Sequence, residues 1–215
     1  MSSVSSVNVV KALIPDVWGS LDRTAIDKRP VAGLVAVTGN GVAGDRQYNT
    51  RVHGGPDQAV YAYADEDSAW WAAELGRDLP PGSFGENLTT LGVDVTNAVI
   101  GERWRIGTVT LQVTTPRLPC LTFAGFWQVK DLLKRFAAHG APGAYLRVVE
   151  NGELQAGDVV EVLDPRPEHG LTIADIFAAR GGARGRIALL ARVDDATSRD
   201  REWARRILTA ATRAS

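Results

Sequence analysis

The chain has one cysteine, Cys120, and only three histidines, His53, His139 and His169. A single cysteine forms no internal disulfide, and three scattered histidines give no zinc-ligand spacing. No window approaches the run of about 18 uncharged apolar residues that a membrane helix needs. The first ten residues carry no basic stretch ahead of an apolar one, so no signal peptide is read and a reducing cytoplasm is the expected compartment. Neither sign of charge is in surplus: 24 Lys and Arg against 25 Asp and Glu leave a net −1. No general pull toward nucleic acid or an anionic membrane follows, and any anion must be held by a local cluster. P-loop, dinucleotide, flavin, haem and iron–sulfur signatures are all missing.

What is present suits a soluble fold. Of 215 residues, 45% are apolar and 23% charged, enough to bury roughly 70% of the unfolded surface in one domain or one domain plus an appendage. Residues 7–13, 31–38, 59–64, 108–114, 144–149 and 158–163 are short β-branched and aromatic runs, bounded by turns such as Gly39-Asn40-Gly41 and Pro80-Pro81-Gly82. Asn151-Gly152 predicts a tight hairpin with positive φ at its centre. Helices are expected over 65–75, opened by acids and closed by Gly76, and over 123–139, closed by Gly140. Trp70-Trp71 on the first helix reads as core packing, or as a stacking surface for a base or pterin. Prolines make 164–170 a stiff linker. Three short helices follow, over 173–180, 186–192 and 198–213, too small for a core of their own and expected to dock on the barrel or on a second subunit.

Cys120 is the most informative residue. It ends Thr115-Pro116-Arg117-Leu118-Pro119-Cys120, where two prolines predict that the preceding strand stops in a rigid loop. Arg117 beside it suits a bound anion, and a thiolate there suits a soft-metal ligand or a nucleophile. A buried structural cysteine is the other reading. Three glycine-bearing polar loops recur between strands: Gly44-Asp45-Arg46, Val52-His53-Gly54-Gly55 and Gly82-Ser83-Phe84-Gly85-Glu86-Asn87-Leu88. Such loops let backbone amides approach a ligand, and each is also an ordinary turn.

Taken together, these segments are more specific. Arg23-Thr24-Ala25-Ile26, Gly44-Asp45, His53-Gly54-Gly55-Pro56-Asp57-Gln58, Phe84-Gly85-Glu86-Asn87, Ile100-Gly101-Glu102 and Pro116-Arg117-Leu118-Pro119-Cys120 occur in the order of the MOSC family, named for the molybdenum cofactor sulfurase C-terminal domain. The chain resembles that family over residues 7–165. Its tail from Gly170 resembles the three-helix extension of the bacterial YiiM-like branch.

The resemblance implies a mainly β fold with α: a MOSC-type β-barrel with flanking helices over 1–165 and a small helical subdomain over 170–215. It implies molybdopterin-bound molybdenum as cofactor, ligated by Cys120, with Arg23, Thr24 and Arg46 meeting the pterin phosphate. Asn87 is expected to match the heterocycle edge, with Gly54, Gly55, Gly85 and Arg117 in the same motifs. His53 and Asp57 are candidate proton carriers by residue type. The implied activity is reduction of N-hydroxylated small molecules, such as amidoximes and N-hydroxylated bases, with electrons from a separate flavin or iron–sulfur reductase. No nucleic acid or membrane partner is expected, and the tail is a candidate surface for homodimerisation or for the reductase. Two departures stand out: the branch's lysine two residues past the cysteine is Thr122, and its first-loop lysine is Arg23. The competing readings are a sulfur carrier with a persulfide on Cys120 and a non-catalytic cofactor-binding module.

Overall fold

The structure, a computed structural model, describes residues 1–48, 54–164 and 166–214. The first half builds β1 (Ser3–Val10), β2 (Ile14–Pro15), β3 (Arg23–Thr24), β4 (Lys28–Pro30), β5 (Val35–Thr38), β6 (Gly41–Val42), β7 (Val60–Ala64) and β8 (Leu88–Leu91), with helix α1 (Asp65–Leu75) between the last two. The second half adds β9 (Arg103–Ile106), β10 (Val109–Pro116), α2 (Leu121–Trp127), α3 (Leu132–His139), β11 (Ala144–Glu150), β12 (Gly152–Leu154) and β13 (Val160–Leu163), then α4 (Ile173–Arg180), α5 (Ile187–Leu190) and α6 (Ser198–Ala214).

Eight strands form one sheet in the order β13-β9-β10-β11-β7-β8-β1-β4, and β12-β5-β6 form a second. The pairs are antiparallel except β7 with β8, which α1 connects as a crossover. The large sheet curls until β1 meets the approach to β13, through one bridge at Ser3 and Val159 and backbone bonds between Val4 and the 157–158 turn. That contact draws the sheet round without a full closing ladder.

The fold differs from the sequence expectation in three places. The helix expected over 123–139 is two helices, because Gln128 ends α2 in the left-handed region with φ 57. Asn151-Gly152 makes no hairpin and neither residue has positive φ; the chain passes from β11, paired with β10, to β12, paired with β5. The strand expected over 108–114 runs two residues further, to Pro116, its last residue, which pairs with Ala144. β9 covers only Val109–Gln112 of β10, so the missing N–H at Pro116 breaks no bond on that side.

Two apolar clusters fill the interior. The larger joins sheet residues such as Leu111, Val113 and Leu146 to Ile173, Ile176, Ile187, Leu190 and Ala204 of the C-terminal helices, which therefore pack on the sheet. The smaller is aromatic: Tyr63 stacks on Phe84 at 3.8 Å, and Trp71, Phe123, Trp127 and Phe136 surround them. Trp71 is core, whereas Trp70 is exposed and stacks on His139 at 3.9 Å. Among the described residues no helix is long and apolar enough to cross a membrane.

Candidate functional site

Strand β10 delivers the chain to Arg117 and then to Cys120, which precedes α2 with extended backbone and a partly exposed, unpaired thiol. Helix α2 is pressed against the segment before β3: a Cβ on Gly125 would lie 3.0 Å from the Trp18 nitrogen. A glycine there keeps this contact uncrowded, and on the same side Thr122 donates its hydroxyl to the Asp16 carboxylate at 3.0 Å.

A cavity opens over the thiol. Of the residues singled out in the sequence, Arg23, Thr24, Arg46, Gly54, Gly85, Asn87 and Arg117 line it together with Cys120. Gly55 and Asp57 do not; they line a second cavity. His53 lies outside the described residues, as does Pro165 of the linker. Neither Trp70 nor Trp71 reaches either cavity.

The first cavity is electropositive. Arg117 is buried over the Phe123 ring at 4.1 Å, near Tyr61 at 5.5 Å, and its Nη1 has no hydrogen-bond partner among the described residues. Guanidinium stays charged in a protein, so burying it without a carboxylate is costly unless an anion completes the site. Arg23 and Arg46 are exposed on the cavity wall, with no salt bridge among the described residues. Lys28, also on the wall, is bound to Asp45 at 2.6 Å; burial pushes its ammonium below the ordinary lysine range, with Asp45 pulling the other way.

Two sequence expectations need correction. The Asn87 amide is already committed: its Nδ2 donates to Asn8 O at 3.2 Å and Asp45 Oδ2 at 2.8 Å, and its Oδ1 accepts from Tyr61 N. It borders the cavity but keeps only one lone pair for a ligand, and its main work is to tie β1, β7 and the Asp45 loop together. The Asp57 carboxylate is held by Arg147 at 2.8 Å, so it is an ion-paired wall residue, not a free proton carrier. Glu86, in the same motif as Asn87, is buried and accepts from Gly82 N at 2.5 Å, Phe84 N at 2.9 Å and Thr89 Oγ1 at 2.8 Å. It thereby shapes the loop that sets Gly85 on the wall.

The second cavity, of about 390 Å³, meets the first at Gly54, Gln58, Cys120 and Tyr145. Tyr145 was missed in the sequence because it sits inside a strand that reads as core. Burial pushes its phenol above the ordinary value, with Arg117 pulling back, and it interacts with Cys120 electrostatically. Lys28, Asp16 and Gln58 were missed too. Nothing local marks Asp16 and Lys28, whose partners Thr122 and Asp45 lie far off in the chain, and Gln58 was read only as part of its motif.

Residues 49–161 match the MOSC domain family. The chain is 36% identical to YflK of Bacillus subtilis over 80% of this chain and 77% of that protein. It is 32% identical to a protein named "Reductase" from Gibberella moniliformis, over 73% of this chain but only 29% of the fungal protein. The crystal structure of YiiM from Geobacillus stearothermophilus superposes with a TM-score of 0.79 at 31% identity, covering 96% of this chain and 98% of that one. That coverage includes the C-terminal helices.

Proposed function

This chain belongs to the MOSC family, in its YiiM-like branch, and on that premise we propose that it is a molybdenum-dependent oxidoreductase that reduces N-hydroxylated small molecules. The observation that carries the reading is a buried Arg117 guanidinium with an unpartnered Nη1, interacting with the Cys120 thiol in a cavity walled by further cations. A soft thiolate among fixed positive charges fits an anionic metal cofactor. Among the described residues no group of three or more His, Cys, Asp or Glu could hold a metal alone. In this reading a pterin dithiolene would supply the remaining metal ligands.

Cys120 Sγ would be the protein's ligand to the metal. Arg117 neutralises charge next to it, and exposed Arg23 and Arg46 offer forked donors to a phosphate. Molybdopterin would supply a two-electron redox centre with affinity for oxygen. The overall change takes two electrons and two protons, converts N–OH to N–H and releases water. Tyr145, which borders both cavities beside Cys120 and carries an O–H, is the residue we assign to proton delivery. Electrons come from a separate flavin or iron–sulfur reductase.

Reduction of benzamidoxime with an artificial electron donor tests this reading. Wild-type protein should form benzamidine, Cys120→Ala should form none, and Tyr145→Phe should lose about 10²-fold in kcat with its metal content intact. A persulfide on Cys120 in protein that never binds molybdenum would overturn the reading in favour of a sulfur carrier.

A further inference from the structure

The two cavities that meet at Cys120 differ in charge. The first is lined by Arg23, Lys28, Arg46 and Arg117 against a single acid, Asp16. The second carries two acids, Asp57 and Asp200, and two cations, Arg180 and Arg199. Of these, Asp57 is paired with Arg147, and Asp200 with Arg180. The rest of its wall includes Pro56, Pro116, Leu118, Pro119 and the Tyr145 ring. An anion gains in the first cavity, whereas an ion entering the second sheds water and finds Asp57, Asp200 and Arg180 already ion-paired.

We propose that the second cavity is the substrate pocket, that it takes an uncharged N–OH compound bearing a flat apolar ring, and that the C-terminal helices build one of its walls. The inference rests on the reductase reading and divides the site: cofactor on the cationic side of Cys120, substrate on the neutral side. The volume of about 390 Å³ lies within the range of small-molecule pockets. At the junction, Gln58 Oε1 is buried without a partner among the described residues. A buried acceptor left open calls for a donor, and an N–OH or amidine N–H provides one.

The wall is held in place by a buried network. Asp200, 3% exposed, accepts from Thr115 Oγ1 on β10 at 2.6 Å and from Thr197 Oγ1 at 2.8 Å, and pairs with Arg180 at the end of α4. Arg180 in turn lies over the Trp203 ring of α6 at 4.0 Å. Both helices are thus fixed to β10 five residues before Cys120, and the start of α6 faces the cavity through exposed Ser198.

Filling the pocket from either side tests the proposal. Ser198→Trp and Leu118→Trp replace exposed wall residues on opposite elements and are checked for folding by thermal melts. In metal-loaded protein each should raise KM for benzamidoxime at least about tenfold, leave KM for hydroxylamine within about twofold, and leave molybdenum content unchanged. Saturation-transfer NMR of benzamidoxime provides a readout independent of turnover. Its signal should vanish in both Trp variants, persist in Arg46→Ala, and be weaker for 4-carboxybenzamidoxime. Wild-type protein that lacks metal and turnover, yet binds benzamidoxime in a way Ser198→Trp abolishes, would sink the reductase reading and keep the pocket. Unchanged KM and NMR contact in both Trp variants, or tighter binding of the carboxylate, would overturn the pocket assignment.

Discussion

At the scale of single residues, the site turns on one uncompensated charge. Arg117 sits over Phe123 with Nη1 unpartnered, a poor arrangement for a protein that never meets an anion there. Arg117→Met keeps the bulk and removes the charge. Cofactor-free variant should therefore melt at the same temperature as wild type or a few degrees higher, at about 2–4 °C per kcal/mol of relief. Its molybdenum occupancy after expression should nevertheless fall. A variant that melts well below wild type and still loads metal fully would show that Arg117 is structural. The sequence made Cys120 and Arg117 legible because both stand in a short proline-bounded run. It did not reveal that Asn87 is committed to Asn8 and Asp45, or Asp57 to Arg147, since those partners lie tens of residues away. Residue type showed what Asn87 and Asp57 are able to do; distant partners settled how much of that capacity remained.

At the scale of elements, the Gly82–Gly85 turn depends on a buried acid. The Glu86 carboxylate accepts two backbone N–H groups and the Thr89 hydroxyl. Glu86→Gln places an amide NH₂ against one of those donors and should cost about 1–3 kcal/mol. Burial also raises the Glu86 pKa despite those bonds. The folded state then holds its proton more tightly than the unfolded chain. The stability this linkage adds is fully present below the ordinary glutamate value and is lost as pH rises through the raised one. Melting curves from pH 7 down to about 5 should show the gap between wild type and Glu86→Gln widening as pH falls; a constant or narrowing gap would contradict the account. Element boundaries were the least legible feature of the sequence. The Leu121–His139 stretch carries no proline or internal stop strong enough to announce a break, yet Gln128 turns left-handed there. Asn151-Gly152 has hairpin chemistry, but Gly152–Leu154 pairs with Val35–Val37 of β5 and not back onto β11. At Asn151-Gly152 local preference lost to sheet topology.

At the scale of the whole molecule, a chain of net charge −1 gathers Arg23, Lys28, Arg46 and Arg117 around one thiol. These residues come from separate segments that only the curled sheet and the Gly125 contact bring together. The overall class, mainly β with helices, was readable from the short strands and turn signals, and the ordered motifs pointed to the family. The second cavity was not readable, because its wall comes from helices that look like an appendage in sequence and pack on β10 in space. Cys120 Sγ is proposed to hold molybdenum at the meeting point of the two cavities. Elemental analysis of protein purified from a molybdenum-replete host tests it most directly, with wild type compared against Cys120→Ala. The account predicts close to one molybdenum per wild-type chain and essentially none in the variant; equal metal in both, or none in either, would contradict it.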